Sequence, residues 1–500
     1  MKLKELCNDY VKVSSEHENI NITGMSLDSR DIKPGYLFIA IPGLKRDGID
    51  YIPQAIANGA SAILCEESSN IFSQASIVTE EGNEIPIYTV VHLIMKIGYI
   101  AAHFYNAPSA KINLIGVTGT NGKTSTTYFI AQSMNQLNIK CGLLGTLGNG
   151  YPNALVASSH TTSDAIKLQA SLSEFVEDNA STVAMEVSSH GLEQGRVNGC
   201  DFDIAFFTNL THEHLDYHGD MYHYGQAKRK LFLMHGLRYA VFNIDDEFGL
   251  ELFNEFDKTI SCYAISVENK THIDKSKLIT ADSIIQNRHG IEFHLKSPWG
   301  ETTIHSPLFG KFNIYNLLSV VACLGILQEP WPAIVKAINS LQGVPGRMQV
   351  IDKPGKAKII IDYSHTPDAL KNALIALSEH QFGAVWCVFG CGGDRDKTKR
   401  PLMGEIASQK ADHIIITNDN PRTESAEAIA ADIIEGIING KKVESILDRK
   451  QAILTALNNA NKDDVILIAG KGHETYQEIN GIRNDFSDLQ VVNEYFEDLT

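Results

Sequence analysis

Residues Gly119 to Thr124 form a glycine-rich loop whose residue types suit the binding of a phosphate group. The segment "LIGVTGTNGKTST" runs from an apolar, strand-like stretch into Gly119, Gly122, Lys123 and Thr124. The strict phosphate-loop pattern needs a glycine at position 117, where this chain has valine, so the match is to a shorter G-x-x-G-K-T form. The glycines let backbone N–H groups face an anion, and a helix starting at Lys123 adds a favourable dipole. We expect Lys123 to reach the outer phosphates of a nucleoside triphosphate and Thr124 to bind magnesium.

A carboxylate, an imidazole and a lysine follow further along the chain. "MEVSSHGLEQGRV" places Glu186 at the end of a strand-like stretch, "TNLTHEHLDYHG" supplies His214, and "AKRKLF" supplies Lys228. A carboxylate and an imidazole near a phosphate loop are able to hold a metal ion, although histidine is an unusual ligand for magnesium. Taken alone, these residues also fit a hydrogen-bonded surface loop and the solvated face of a helix.

Composition limits the classes of function that the chain can have. Its 500 residues, 43% of them apolar, are enough for about three domains. A net charge of −17 argues against nucleic acid or an anionic membrane as the main partner. The eight cysteines lack the spacing of zinc or redox sites, so we expect reduced, mostly buried thiols. The N-terminus does not resemble a signal peptide, and the longest apolar run is too short to span a bilayer.

The elements that must position these residues alternate between strands and helices. Strand candidates are "NLIGVT", "STVAMEV", "DIAFFTNLT" and "YAVFNID", then "KIIIDY", "AVWCVFG", "HIIITN" and "DVILIAG". Joints rich in Gly or Pro before Lys111 and around Gly343 predict units of about 1–108, 109–343 and 344–500. We therefore expect an α/β protein with mostly parallel sheets and ligands beyond the carboxyl ends of the strands.

A series of motifs resembles the Mur ligases, the ATP-dependent amide-forming enzymes of peptidoglycan precursor synthesis. In the family's order these are "GTNGKTS", "MEVSSHGL", "TNLTHEHLDYHG", "AKRKLF", "GKFNIYN", "PGRMQ", "IDYSHTPDAL", "FGCGGDRDKTKRPLM", "NDNPR" and "GKGHE". The resemblance covers essentially the whole chain. It implies a smaller α/β N-terminal domain for the UDP-substrate, a central P-loop-type ATPase domain and a Rossmann-like C-terminal domain for the amino acid. It also implies ATP and Mg²⁺, small-molecule substrates, and a cytoplasmic monomer that binds neither nucleic acid nor membrane.

The resemblance further implies a mechanism. A D-glutamyl carboxylate attacks the γ-phosphate of ATP to give an acyl phosphate, and an amine of the incoming amino acid then displaces phosphate. Glu186 matches a ligand that bridges two metal ions, His214 a ligand of the second, and Lys228 the lysine that family members carry as a carbamate, N6-carboxylysine. The matching ATP-binding residues are Gly119, Thr120, Asn121, Gly122, Lys123, Thr124 and Ser125 in the loop, with Asn313, Asn316, Arg347 and Asp362 near adenine and ribose.

The resemblance assigns a UDP-muramoyl dipeptide to the first and central units. The matching residues are Leu27 and Ser29 at the uridine, Leu44, Lys45 and Arg46 near the diphosphate, and Thr161, Thr162, Ser188, Gln194 and Arg196 at the muramoyl dipeptide. Two positions depart from the family, because Ser163 stands where proline is usual and His160 where asparagine is common. These departures affect the geometry of the loop rather than its hydroxyl and guanidinium chemistry.

The motif "TNDNPRTE" predicts which amino acid is added, although outside this context it would indicate only a β-turn. The resemblance implies an amino-acid site formed by Arg395, Asp419, Asn420, Pro421, Arg422, Gly470 and Glu474. Diaminopimelate differs from lysine by a carboxylate beside its distal ammonium, and a guanidinium binds carboxylate through two parallel hydrogen bonds. We expect Arg422 and Arg395 to hold carboxylates and Glu474 to meet an ammonium group. The predicted acceptor is meso-2,6-diaminopimelate.

Three other interpretations compete with this one. An L-lysine-adding homologue would share most of the motifs and differ at the arginine loop. A folylpolyglutamate synthetase would share the shortened phosphate loop, but we would not expect "SLDSR" or "DNPR" there. A regulatory nucleotide-binding protein could lack Glu186, His214 and Lys228, yet all three are present.

Overall fold

The computed structural model describes residues 1–43, 46–67, 76–79, 82–158, 160–268, 273–438 and 440–497. Contacts within the chain divide it into two units, Met1–Tyr263 and Ala264–Thr500. Both units are α/β structures in which most neighbouring strands run parallel, as predicted. The predicted three-domain boundaries at 108/109 and 343/344 stay predictions.

The first unit begins with a five-stranded sheet in the order β1-β2-β3-β5-β4, in which only the β4–β5 pair is antiparallel among the described pairs. Its elements are α1 (Leu3–Cys7), β1 (Gly24–Ser26), β2 (Tyr36–Ala40), α2 (Ile52–Ala57), β3 (Ala60–Glu66), β4 (Ser76–Val78), β5 (Glu84–Val90) and α3 (Leu93–Phe104). Side chains alternate along β2, so Leu37 and Ile39 pack in one core and Phe38 and Ala40 in another. Both faces of this sheet are therefore covered.

The second sheet of this unit positions the phosphate loop. Its elements are β6 (Asn113–Thr118), α4 (Lys123–Gln136), β7 (Cys141–Gly145), β8 (Gly148–Tyr151), β9 (Ala154–Val156), α5 (Ala165–Glu177), β10 (Thr182–Glu186), α6 (Ser189–Glu193), β11 (Ile204–Phe207), α7 (Leu215–His218), α8 (Met221–Arg229), β12 (Tyr239–Asn243), α9 (Glu247–Phe256) and β13 (Ser261–Ser266). The spatial order includes the run β12-β11-β6-β10-β7-β8-β9. The first five strands of this run, β12, β11, β6, β10 and β7, are parallel to one another. Parallel strands bring the segments after β6, β10 and β11 to one edge.

The Ala264–Thr500 unit begins with an antiparallel meander and two helices. These elements are β14 (Leu278–Asn287), β15 (Gly290–Ser297), β16 (Gly300–Ser306), α10 (Phe312–Ile326) and α11 (Trp331–Asn339). The helix α10 is apolar along most of its length and is buried almost throughout. Its burial fixes the positions of the two asparagines in its first turns.

The rest of this unit is a six-stranded sheet in the order β17-β18-β22-β19-β20-β21, parallel except for β17. Its elements are β17 (Gln349–Ile351), β18 (Lys358–Asp362), α12 (Pro367–Ser378), β19 (Val385–Phe389), α13 (Lys399–Lys410), β20 (His413–Ile416), α14 (Ala426–Glu435), β21 (Val443–Ser445), α15 (Arg449–Asn459), β22 (Val465–Ala469), β23 (Tyr476–Ile479), β24 (Ile482–Asp485) and α16 (Asp488–Glu497). Apolar cores cover both faces of the sheet. The segments after β19, β20 and β22 therefore meet at one edge.

Several expectations from the sequence agree with the fold. The strand candidates coincide with β6, β10, β11, β12, β18, β19, β20 and β22, and the helix after the phosphate loop is α4. All eight cysteines are buried free thiols. Within the described ranges, every helix is too short or too polar to cross a lipid bilayer.

Candidate functional site

The phosphate loop adopts the backbone shape that its two glycines permit. Gly119 has φ +146° and Gly122 has φ +87°, which are conformations that residues with a Cβ rarely adopt. A Cβ at Gly119 would lie 1.9 Å from the Thr208 hydroxyl oxygen, so a larger residue would also clash there. Helix α4 begins directly after the loop at Lys123, and Ser125 lies half-buried in its first turn. The N–H groups at the start of α4 therefore border the loop.

The loop is held by its own lysine and by the segment after β11. Lys123 Nζ donates to the carbonyl oxygens of Gly119 at 2.9 Å and Thr120 at 2.8 Å. Asn209 accepts from both loop amides, with its carbonyl oxygen 2.8 Å from Thr120 N and its Oδ1 2.9 Å from Asn121 N. These bonds fix the loop before any ligand arrives.

Glu186 lies at the end of β10 beside the phosphate loop and is only 2% exposed. Its Oε2 accepts from the Thr124 hydroxyl at 2.9 Å, and its Oε1 accepts from Thr146 N at 2.7 Å. The Thr146 hydroxyl also donates to Oε2 at 3.2 Å. Sequence reasoning missed Thr146, although its place directly after β7 at the carboxyl edge of the sheet was a usable signal.

Lys228 lies in α8 with 1% of its surface exposed. Its Nζ donates to the Gly119 carbonyl oxygen at 2.8 Å and lies 4.1 Å from the centre of the Tyr224 ring. Burial, reinforced by the positive charge of Lys123, holds the Lys228 pKa well below its usual range. Lys228 therefore tends toward the neutral amine, which is a nucleophile.

His214 belongs to a group of aromatic side chains near the loop. It precedes α7 in a left-handed conformation, with φ +57°. The His190 ring lies 4.9 Å from the His214 ring, 5.3 Å from His218 and 4.2 Å from Tyr217, measured between centroids. Burial lowers the His214 pKa and lowers the His190 pKa to about 4, so both imidazoles favour their neutral, ligand-competent form.

The residues predicted to contact the muramoyl dipeptide form one hydrogen-bonded group around the end of β10. The Thr162 hydroxyl donates to the Glu186 carbonyl oxygen at 2.9 Å, and Thr162 Oγ1 accepts from Ser188 N at 3.0 Å. Arg196 Nη1 donates to the Thr162 carbonyl oxygen at 2.8 Å, and its Nε donates to Gln194 Oε1 at 3.0 Å. This group is therefore joined to the backbone of Glu186 at the end of β10.

Thr161 links that group to the carboxylate from the other side. The Thr146 and Thr161 hydroxyl oxygens lie 3.1 Å apart, and the Thr146 hydroxyl donates to Glu186 Oε2. The structure therefore places Thr161, Thr146 and Glu186 in one contiguous polar region.

A cavity of about 880 Å³ lies in the first unit and includes two of the predicted uridine residues. Leu27 and Ser29 line it together with Gln54, whose Oε1 accepts from the Ser29 hydroxyl at 2.8 Å. Arg46 is exposed, and its Nη1 lies 3.5 Å from the hydroxyl of Tyr51, which also lines the cavity. Leu44 and Lys45 lie outside the described residues.

The residues predicted near adenine and ribose all lie in the 264–500 unit, in two pairs. Asn313 and Asn316 are buried in α10, where Asn316 Nδ2 donates to Asn313 Oδ1 at 2.9 Å. Asp362 ends β18, accepts from Met348 N at 2.6 Å, and has its pKa raised by burial. The Arg347 guanidinium lies 4.6 Å from the centre of the Tyr363 ring. The asparagines thus bond each other, and Arg347 and Asp362 lie on neighbouring backbone segments.

The two arginine-bearing loops of the amino-acid site contact each other. Arg422 follows β20 with φ +51°, and its Nη1 donates to the Gly393 carbonyl oxygen at 2.7 Å. A Cβ at Gly392 would lie 3.0 Å from Arg422 Nη1 and 3.8 Å from Arg395 Cγ. Both predicted carboxylate-binding arginines therefore border Gly392, with Arg395 exposed and Arg422 partly buried.

The remaining residues of the amino-acid site meet between β20 and β22. Asn420 Nδ2 donates to Glu474 Oε2 at 3.0 Å. Gly470 has φ +113°, and a Cβ there would lie 2.8 Å from Asp419 Oδ2. Pro421 is buried between Asn420 and Arg422. The structure thus brings together all of the residues predicted for this site.

Sequence reasoning missed one buried cation at the centre of this group. Lys471 is 0% exposed, and its Nζ lies 3.1 Å from Asn420 Oδ1, 3.2 Å from Glu474 Oε2 and 3.6 Å from Asp419 Oδ1. Its place within "GKGHE", between Gly470 and Glu474, was the signal that could have found it.

Comparison with known proteins gives consistent matches along the chain. Family models match at residues 21–105 (Mur ligase family, catalytic domain), 117–324 (Mur ligase middle domain) and 346–472 (Mur ligase, glutamate ligase domain). A UDP-N-acetylmuramoyl-L-alanyl-D-glutamate--2,6-diaminopimelate ligase of Coxiella burnetii is 45% identical over 472 residues, which cover 94% of this chain and 95% of that protein. The enzyme of that name from Pseudomonas aeruginosa is 44% identical over 470 residues, 94% of each chain.

A solved structure with the same enzyme name agrees over the full length. It has a TM-score of 0.72 and 35% sequence identity, and the match covers 100% of this chain and 99% of that one. Identity at this level over nearly the whole length of several relatives, with family models matching in sequence order, leaves one assignment. This chain belongs to the Mur ligase family.

Proposed function

We propose that this ligase uses ATP to join meso-2,6-diaminopimelate to UDP-N-acetylmuramoyl-L-alanyl-D-glutamate in peptidoglycan precursor synthesis. The observation that carries the proposal is identity of 44–45% over about 94% of the chain to enzymes that bear this name. The arginine loops described above support the choice of amino acid.

The phosphate loop and its neighbours fit ATP with magnesium. The Thr124 hydroxyl and the Glu186 carboxylate are oxygen donors 2.9 Å apart beside the loop, which is the donor chemistry that Mg²⁺ prefers. When bound, magnesium supplies positive charge that neutralises the phosphates during transfer. Lys123 contributes a further cation and the start of α4 contributes N–H donors. His214 would be the imidazole ligand of a second ion.

Lys228 fits the proposed carbamate for a chemical reason. Its buried amine has a lowered pKa, so its lone pair is available to add to the carbon of CO₂. As the C–N bond forms, one C–O π bond of CO₂ opens and one proton leaves to solvent, which turns a buried neutral amine into an anionic oxygen donor. An oxygen donor suits a magnesium site, whereas an ammonium group would repel the ion.

The reaction then proceeds between two substrates held by the chain. The D-glutamyl side-chain carboxylate attacks the γ-phosphorus of ATP, the bond to ADP breaks, and an acyl phosphate forms. The amine of diaminopimelate attacks the acyl carbon, phosphate leaves, and the amine loses a proton. Thr161, Thr162, Ser188, Gln194 and Arg196 would orient the glutamyl end near the end of β10, since Thr162 is bonded to the Glu186 backbone and Thr161 to Thr146, which contacts the Glu186 carboxylate.

The other predicted contacts complete the substrate assignments. Leu27 and Ser29 would bind uridine in the 880 Å³ cavity, with Arg46 near the diphosphate. Asn313, Asn316, Arg347 and Asp362 would bind adenine and ribose. The roles divide among residues 1–108, 109–343 and 344–500, and the enzyme would work as a cytoplasmic monomer, where ATP and nucleotide sugars are available.

The choice of diaminopimelate follows from charge. Arg422 and Arg395 would pair with carboxylates of the amino acid, and Glu474 with an ammonium group. L-Lysine lacks the distal carboxylate, so it would leave one guanidinium without its partner.

A phosphate-release assay tests the proposal. Purified enzyme with ATP, Mg²⁺ and the UDP-muramoyl dipeptide should release phosphate rapidly only when diaminopimelate is added. Equal use of L-lysine would indicate the lysine-adding homologue. Turnover of folate and glutamate in place of the muramoyl substrate would indicate a folylpolyglutamate synthetase. No turnover with any of these sets would contradict ligase function.

A further inference from the structure

A fully buried lysine lies at the centre of the predicted amino-acid site. Lys471 follows β22 and Gly470, and its Nζ contacts side chains from two loops of the 264–500 unit. Asn420 Oδ1 accepts from it at 3.1 Å, and Glu474 Oε2 accepts at 3.2 Å. Asp419 Oδ1 lies 3.6 Å away. A single ammonium group therefore joins three residues that are predicted to contact the substrate.

The first consequence concerns the orientation of the Asn420 amide. Its Oδ1 accepts from both Lys471 Nζ and Glu478 N, the latter at 2.9 Å. Because ammonium and backbone N–H groups only donate, the oxygen must face them, and the Asn420 NH₂ group is turned toward Glu474. Lys471 thus helps to select one of the two possible amide orientations.

The second consequence concerns charge. The Asp419 and Glu474 carboxylates each lie within 3.6 Å of the same nitrogen, so Lys471 keeps two like charges compatible in a buried site. Two carboxylates and one ammonium leave one negative charge. That remaining charge suits an incoming ammonium group, while Arg422 and Arg395 suit carboxylates.

We propose that Lys471 is a positioning residue for the amino-acid substrate, which holds the Glu474 carboxylate in place and fixes the orientation of the Asn420 amide. Lys471 acts through these two side chains and does not itself bind diaminopimelate. The proposal rests on the proposed function, because it assumes that these loops bind the added amino acid.

Steady-state kinetics of a Lys471→Met variant test the proposal. At neutral pH, KM for diaminopimelate should rise at least about tenfold, while KM for ATP and for the UDP-muramoyl dipeptide stays within about twofold. The kcat at saturating diaminopimelate should fall much less than KM rises, because the residues around the phosphate loop are unchanged.

Two further variants separate positioning from folding. Lys471→Gln keeps a donor but loses the charge, so it should show the same selective rise in KM for diaminopimelate, and it replaces the Met variant if that one does not fold. Lys358→Met is the matched control. Lys358, the first residue of β18, is also buried, but it pairs with Asp352 and lies outside the predicted amino-acid site. It should alter stability without a selective rise in KM for the amino acid.

The outcomes are distinct. An unchanged KM for diaminopimelate, or equal losses toward all three substrates, would overturn the positioning role of Lys471. Wild-type enzyme that uses another amino acid instead of diaminopimelate would overturn the proposed function alone. The Lys471 variants would then be measured with that amino acid, and the same selective rise in KM would be required.

Discussion

The phosphate-loop site and the amino-acid loops differ in whether their buried charged groups are paired with groups of opposite charge. Near the phosphate loop, Lys228 is 1% exposed and donates to a backbone carbonyl oxygen rather than to a carboxylate. Glu186, 2% exposed, accepts from hydroxyl and amide groups. Neither charge is neutralised by the other, and burial holds the Lys228 pKa well below its usual range.

The amino-acid loops instead contain matched pairs. Lys471 lies between two carboxylates, and the fully buried Arg400 is 3.0 Å from Glu424 Oε1 and 2.8 Å from Asp432 Oδ2. Arg400 also lies 3.4 Å from the Gly392 carbonyl oxygen, so this network connects the loops that carry Arg395 and Arg422.

A further buried pair supports the same edge of the sheet. Arg449 is bonded to Asp488 with both side chains fully buried, and it also donates to the carbonyl oxygens of Asn418 and Ala469 at 3.2 and 3.0 Å. Those two residues come directly before Asp419 and Gly470.

The difference suggests how each region is prepared for its ligands. A site with uncompensated buried groups gains from charges that arrive with the ligand, such as those of metal ions and phosphates, and from CO₂, which converts an amine into an anion. A site with internal ion pairs is already rigid and selects a ligand by shape and charge pattern. Activity that depends on the first region should therefore change when ions are added to the solution. Activity that depends on the second region should change with the amino acid that is supplied.

The largest expected effect is at Lys228. A Lys228→Ala enzyme should lose activity by on the order of a thousandfold, because the anionic donor at the metal site is gone. Added acetate or formate should restore part of it, since a small carboxylate can occupy the space left by the side chain. The measurement is phosphate release with and without these ions. The control is Lys230→Ala, an exposed lysine paired with Glu193, which should be nearly neutral.

One result would contradict the proposed role of Lys228. An untreated Lys228→Ala enzyme with full activity would remove both the carbamate and the contrast between the two regions.

A smaller loss, of about a hundred to a thousandfold in kcat/KM for diaminopimelate, is expected for Arg422→Ala. The reason is the loss of a charge-assisted partner for a carboxylate in a closed site. Titration with a fluorescent nucleotide should show unchanged ATP binding. Arg483→Ala, an exposed arginine on β24, serves as the matched control. A wild-type enzyme that used L-lysine as efficiently as diaminopimelate would contradict the assignment of the acceptor.

A change in one Michaelis constant is expected for Arg196→Ala. Its guanidinium is held by Thr162 and Gln194, so the wild-type side chain is preorganised, and the variant should raise KM for the UDP-muramoyl dipeptide about tenfold. KM for diaminopimelate should stay the same. An exposed arginine in the same unit, Arg238, which pairs with Asp203, provides the control variant Arg238→Ala. An unchanged KM for the nucleotide substrate would mean that Arg196 has a structural role.

The smallest effect concerns the dependence of stability on pH. Burial, with the nearby Arg347 charge, lowers the His473 pKa to about 4, below its unfolded value near 6.5. The unfolded chain therefore binds the proton more readily, so the His473 contribution to stability is complete above about pH 6.5 and is lost as pH falls toward 4. We expect a loss of about 3 kcal/mol over this interval.

Chemical denaturation at several pH values measures this contribution. The slope of unfolding free energy against pH should flatten in His473→Asn relative to wild type, and not in the exposed His103→Asn control. Parallel slopes in all three proteins would show that His473 does not contribute.

Much of the framework was predictable because its signals are local. The apolar runs at β6, β10, β18 and β22 are short and continuous, which is typical of strands buried on both faces. The phosphate loop was also predictable, because its glycines and the helix after it are adjacent in the chain. The family resemblance, carried by motifs in order, supplied the residue roles that spacing alone leaves open.

Partners from distant segments were harder to foresee. Thr146 meets Glu186 across 40 residues, and Lys471 meets Asn420 across 51. No periodicity or regular spacing along the sequence indicates that the two members of either pair are in contact. The predicted contacts Leu44 and Lys45 lie outside the described residues.

The sequence by itself thus determined the strands, the phosphate loop and the charged residue types available at the carboxyl edges of the sheets, because these depend on neighbouring residues and alternation along the chain. Tertiary structure decided which charges are neutralised. Parallel packing places loops from separate strands at one edge, and only there does Lys471 meet two carboxylates while Lys228 faces a carbonyl oxygen. The protonation preferences follow from that arrangement, since burial and nearby charge, rather than residue type, shift a pKa.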